Sequence, residues 1–118
     1  MHLTKEQIIA ADDRKIVEID CPEWGGIVRL RTLSGTERDA YEASLFQGEG
    51  ADRKINIRNL RARLIVLCMV DSEGVRMFDD LDAELLGGKS GVALDPLFDE
   101  CQKINGLGLR DIEAAREN

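Results

Sequence analysis

Apolar and polar positions change period several times along this chain, and each change marks an element. Residues 15–21, "KIVEIDC", alternate: Val17, Ile19 and Cys21 face one way, Glu18 and Asp20 the other. Residues 27–33, "IVRLRTL", do the same, with Val28 and Leu30 against Arg29 and Arg31. A period of two is the mark of a half-buried strand. "PEWGG" lies between them, with Gly25 and Gly26 free to take positive φ in a reverse turn. The two strands therefore predict a β-hairpin, with acidic side chains on one arm facing Arg29 and Arg31 on the other.

The remaining elements read as helices. Thr4 is followed three residues on by Gln7, a capping box that starts a short helix over about 4–11. Ser34 and Glu37 repeat the signal, and a helix should run to about 46 with Ala40, Tyr41, Ser44 and Leu45 facing inward. "QGEGADRK" reads as a flexible connection. Asn56 is placed to cap the longest helix, over about 57–70, in which Ile57, Leu60, Leu64 and Leu67 recur at helical spacing. Its second half is apolar almost all round and should be the centre of the core. "DSEG" ends it, and "VRMF" follows as a short extended piece. "DDLDAELLGG" is a short helix with acidic residues at its start, where the dipole favours them, and Gly at its end. Ser90 opens a helix with the stripe Leu94, Leu97, Phe98, Cys101 and Ile104, Pro96 in its first turn and Gly106 at its end. The expected fold is α+β: an N-terminal β-hairpin packed on a mostly helical body of about four to five helices. Residues 1–118 are expected to form a single domain, with the short helix and hairpin in 1–33, the helical body in 34–106, and a weakly ordered helical tail in 107–118.

Composition narrows the function class. The chain has 118 residues, 43% apolar and 33% charged, an ordinary balance for a soluble domain, and only 4% aromatic, so the core must be aliphatic. The net charge of −7 comes from the second part of the chain. Residues 1–70 hold eleven basic and eleven acidic side chains, whereas residues 71–118 hold five basic and twelve acidic. An acidic molecule repels phosphate backbones and anionic lipid, so neither nucleic acid nor a membrane surface is an expected partner. Three well-separated cysteines, with no signal peptide in "MHLTKEQIIAADD", fit a reduced cytoplasm. Cys68 and Cys101 sit in apolar helical patterns and read as small core residues.

The motifs that tempt a catalytic reading are incomplete. "GGKS" at 87–90 resembles the end of a phosphate loop, but Ala83 stands where the first glycine of that loop is required. "DSEGVRMFDD" hints at a calcium loop, yet aligning Gly74 with its turn glycine puts the thioether of Met69 at the first ligand position. One His, at position 2, cannot supply a zinc cluster or a Ser–His or Cys–His pair. The carboxylate pairs Asp12/Asp13 and Asp79/Asp80 are adjacent in sequence and diverge, reading as caps and solvated charge. No catalytic, cofactor-binding or metal-binding residue is assigned, and no cofactor is expected.

Two features read as contact surface. Arg53, Lys54, Arg58, Arg61 and Arg63 fall within eleven residues, with Asp52 alone opposing them. Arg58 and Arg61 would share a helix face, with Arg63 away from it. The cluster is a solvated helix face, or is paired with the acidic second half, or is a docking patch for an acidic surface such as the C-terminal half of another copy. Trp24, the only Trp, sits at the hairpin turn. It either packs on the chain's own helices or anchors a partner, a role in which Trp is enriched. Trp24, Arg53, Lys54, Arg58 and Arg61 are the candidate protein-binding residues.

Three stretches, "LTKEQIIAADD", "VEIDCPEWGGIVRLRTLSGTERDAYEASL" and "INIRNLRARLIVLCMVDSEGVRMF", with the later "LDPLFDECQKINGL", resemble the small tail assembly chaperones of long-tailed bacteriophages and prophages. The likeness spans about residues 3–107 and lies in the order and type of structural motifs. It implies a non-enzymatic protein of the bacterial host's cytoplasm. Such a protein binds the long, aggregation-prone tape measure protein, keeps it soluble and helps recruit tail tube subunits. The family is often made in two lengths by ribosomal frameshifting, and this chain would be the shorter form. The alternative is a small phage or bacterial adaptor that acts by contact with another protein.

Overall fold

A computed structural model describes residues 1–107, arranged as five helices and five short strands. The C-terminal helical tail expected over 107–118 lies, beyond Leu107, outside the described residues. The expected hairpin is present. β1 (Ile16–Cys21) pairs antiparallel with β2 (Gly26–Arg31), placing Val17 opposite Leu30, Glu18 opposite Arg29 and Ile19 opposite Val28. Pro22–Trp24 form one 3-10 turn. Gly25 closes it at φ +76, where its N–H reaches the carbonyls of Cys21 and Pro22. Gly26 is an ordinary strand residue. The α1 helix (Lys5–Ala10) carries the Thr4/Gln7 capping box but buries no residue, so Leu3, Ile8 and Ile9 are exposed. The arm rejoins the body at Arg14, whose guanidinium donates to the Thr32 carbonyl at 3.0 and 2.8 Å.

The body is built around α3 (Leu60–Cys68). Ala62, Leu64, Ile65, Val66 and Cys68 are all buried, as expected of an all-round apolar segment. Its bounds differ from the expected 57–70. Asn56 forms a local turn, accepting from the Arg58 N–H at 3.2 Å, and Asn59 is the N-cap at φ +51. Ile57 consequently falls before the helix and is 71% exposed. Met69 and Val70 leave the helix as β5 (Met69–Val70) and add a third strand beside β2, giving the order β1-β2-β5. The longest helix is α5 (Gly91–Asn105), capped by the Ser90 hydroxyl and ended by Gly106 at φ +63. Pro96 sits one turn deeper than expected, inside this helix.

The helix α2 (Gly35–Ser44) starts at the Ser34/Glu37 capping box. It buries Tyr41 and leads to buried Leu45, while Ala40, expected inside, is exposed. The expected loop after it contains a small antiparallel pair, β3 (Phe46–Gln47) and β4 (Lys54–Ile55). A 3-10 turn at Asp80–Asp82 leads into α4 (Ala83–Gly87), beside α3. Leu30, Tyr41, Leu45, Leu64, Ile65, Leu97 and Leu107 meet in one core, with Val17, Ile19 and Val28 of the hairpin packed against it. Each fully buried aliphatic side chain of this kind contributes about 1.5–3 kcal/mol.

Arginines close the helix ends. The last carbonyls of a helix lack intrahelical donors and carry partial negative charge, which a guanidinium satisfies on both counts. Arg31 donates to the Leu67 carbonyl at 3.2 and 3.1 Å, Arg76 to that of Val66 at 2.9 Å, and Arg63 to that of Ser44 at 2.7 Å. Arg31 therefore turns to the body instead of bridging to β1. Arg29 is opposite Glu18 in register, but its guanidinium reaches the Ser72 carbonyl at 2.6 Å.

Glu37 joins Arg14 and Arg31 at the start of α2. Burial alone would raise its carboxyl. The Ser34 N–H and the Arg31 and Arg14 guanidiniums outweigh burial and hold it below its ordinary value of 4.5. A depressed folded value means stability that is fully present above the unfolded value and lost as pH falls through the folded one. Glu37→Gln keeps the capping box, as Gln7 does in α1, but removes the charge that pairs with Arg14 and Arg31. It is expected to lower stability near neutrality by about 1 kcal/mol, with the gap to wild type closing below pH ~4.5. Urea melts at a series of pH values check this.

Candidate protein interface

The site begins where β5 stops. A strand of two residues is short, and Asp71 ends it: its carboxylate accepts from the N–H groups of Glu73 and Val75 at 2.8 and 3.0 Å. Asp and Asn side chains that capture nearby backbone N–H groups replace strand with turn. The chain reverses through Gly74 at φ +82, and Val75–Met77 return alongside β5, with the Met77 N–H on the Met69 carbonyl at 3.1 Å. The β2 residues nearest the hairpin turn thus outrun β5. They border a groove of about 480 Å³ whose walls include Trp24, Ile27, Val28, Met69, Met77 and Phe78. Ile27 is 63% exposed and Trp24 37%, so apolar surface stands open to solvent beside a hydrogen-bonded scaffold. A concave, mostly apolar groove of this size is a candidate contact site.

Trp24, one of the five sequence-predicted contact residues, is on this groove; none of the four basic ones lines it. Arg53 lies over the Phe46 ring, 4.1 Å from its centroid, and Lys54 is exposed in β4. Arg58 pairs with Glu84 at 3.0 Å, and Arg61 pairs with Asp95. The basic cluster is therefore partly neutralised by the acidic second part of the chain within one molecule. Arg63 points inward to Ser44 and the Asn56 carbonyl. Both outward pairs are more than half exposed and screened. Arg58→Glu with Arg61→Glu is accordingly expected to change stability by about 1–2 kcal/mol at most, measured by urea melts, because exposed ion pairs contribute little.

Sequence reasoning missed Ile27, Met69, Met77 and Phe78 as parts of one surface. A signal was available: Ile27 is apolar at a position whose strand neighbours on the same face are Arg29 and Arg31. Cys68 and Cys101 are buried in the core, as expected. The hydrogen bond with Cys68 and burial both push the Cys101 thiol far up, away from the reactive thiolate. Among the described residues no group of three or more His, Cys, Asp or Glu side chains is arranged to hold a metal ion, and no helix is long and apolar enough to cross a membrane.

No protein-family model matches the chain, and no curated protein matches it. Among solved structures, the bacteriophage HK97 tail assembly chaperone aligns with a TM-score of 0.58 over 83% of this chain and 89% of that one, at 19% sequence identity. The chain has the fold of the HK97 chaperone. The likeness takes in most of both chains and agrees with the family resemblance carried by the sequence motifs. At this identity what is shared with the HK97 protein is the architecture, and the groove described above is read from this chain's own residues.

Proposed function

We propose that this chain is a phage tail assembly chaperone that acts by protein–protein contact and not by catalysis. In the cytoplasm of the bacterial host it binds the tape measure protein, keeps that apolar chain soluble and helps recruit tail tube subunits. The observation that carries the reading is the shared fold with the HK97 chaperone over most of both chains. Two features support it. A net charge of −7 keeps a complex with an apolar partner dispersed. The Trp24 groove and the bare α1 arm offer apolar contact surface. In this reading Trp24 is the anchor, and Arg53, Lys54, Arg58 and Arg61 form a second, charged contact that steers the partner or another copy of the chain.

Co-expression tests the proposal. A tape measure protein from the same phage, produced alone and with this chain, is scored for its soluble fraction. A severalfold rise with the chain, and co-purification of the two, is the expected result. An unchanged soluble fraction overturns the reading and leaves an adaptor for some other protein.

A further inference from the structure

We infer that the open edge of β2 at Ile27 takes up an extended apolar segment of the partner, flanked by basic residues, as an added β-strand. The identity of the partner rests on the chaperone reading; the edge itself follows from the geometry. The Thr32 N–H donates to the Lys15 carbonyl at 2.9 Å, which makes 15/32 a hydrogen-bonded position of the β1–β2 ladder. Main-chain groups alternate in an antiparallel pair, so Leu30, Val28 and Gly26 turn theirs toward β1, while Arg29 and Ile27 turn theirs away. The other side of the sheet agrees. The Met69 carbonyl and the Asp71 N–H are both used by the returning segment, at Met77 and Val75. Val70 is therefore the β5 residue whose main chain faces β2, opposite Arg29.

Extending that register by two residues would set Ser72 against Ile27. The Asp71 turn carries the chain away before Ser72 can pair, and the Gly74 N–H closes the turn on the Asp71 carbonyl at 3.0 Å. The Ile27 N–H and C=O are thus left facing the groove without a strand partner among the described residues. An unpaired edge beside apolar walls is a template for another strand.

The groove also specifies what that strand carries. Side chains of an added strand alternate between the two faces of the sheet. One set meets Val28, Met69 and Phe78, with Trp24 at the rim, and must be apolar. The other lies over the face that carries Glu18 and Asp20, which stand opposite Arg29 and Ile27 and enter no ion pair among the described residues. Arg29, the basic side chain on this wall, keeps its charge but is outnumbered by these two carboxylates and by Asp71, which also lines the groove. The field at the groove is therefore acidic, and charge complementarity selects lysine or arginine at the ends of the incoming segment.

The test uses the full 118-residue chain and the peptide acetyl-KVTVTVK-amide, with Trp24 as the sole tryptophan reporter. Titration is expected to give a saturable change in Trp24 emission. The same peptide methylated at its five central backbone nitrogens, and an EVTVTVE peptide, are each expected to bind at least about tenfold more weakly. Ile27→Pro removes a donor that the β1–β2 ladder does not use, and should weaken the parent peptide by a similar factor. If that variant fails to fold, the methylated peptide against the wild-type chain decides the matter alone. Absence of a saturable change, or equal binding of the methylated peptide, overturns strand addition. The two readings fail separately. An Ile27→Pro chain that still solubilises the tape measure protein fully refutes strand addition and keeps the chaperone. Peptide pairing without solubilisation does the reverse.

Discussion

Leu64→Ala is expected to destabilise the chain by about 2–5 kcal/mol, the range for emptying a fully enclosed leucine site. Leu64 has no solvent exposure and sits in the middle of α3, the helix on which the hairpin, α4 and α5 converge. Neighbours held by so many elements cannot collapse into the void, which puts the cost toward the upper end. Against the roughly 5–15 kcal/mol that stabilises an ordinary domain, this removes a large share. Urea unfolding should show a midpoint lowered by about 1–3 M with an unchanged slope. Ile57→Ala is the matched control. It belongs to the same apolar run in the sequence, but lies outside the helix and is mostly exposed, so its effect should stay within about 0.5 kcal/mol.

Trp24→Ala is expected to weaken binding of the apolar partner about 30-fold or more, the 2 kcal/mol that defines a hot-spot residue. Trp24 combines the properties of such a residue. It is large, only partly covered by its own chain, fixed on a 3-10 turn that Gly25 closes, and set at the end of an apolar groove. Its truncation removes little core packing, so the variant should unfold close to wild type. Binding is measured by titrating the labelled partner into each form. Full retention of affinity by a folded Trp24→Ala chain would remove the groove as the contact site.

The hairpin, both capping boxes, the α5 stripe and the apolar second half of α3 were all legible in the sequence. Each is written locally, in a period, a cap or a turn residue, and each points the same way as the tertiary fold. The errors cluster where a nonlocal partner decides. Nothing in "LCMVD" says that Met69 and Val70 leave the helix for a strand, because the β2 edge that captures them is some forty residues earlier. Asn56 has the chemistry of a cap, but its side chain is used in a local turn, and Asn59 takes the position at positive φ.

Arginine roles were the least legible. Arg29, Arg31, Arg63 and Arg76 are indistinguishable as letters from Arg58 and Arg61, yet the first four donate to backbone carbonyls and the last two lie on the surface. The candidate site was half visible for the same reason. Trp24 stood out by type, whereas the groove beside it exists only because Asp71 turns the chain before β5 can cover Ile27.

Amide hydrogen exchange on the chain, free and in complex with the tape measure protein, tests the account most directly. The prediction is new protection of the Ile27 amide and its groove neighbours, with the 53–61 segment changed less. Protection confined to other segments, or no change at Ile27 in a complex that demonstrably forms, would contradict it.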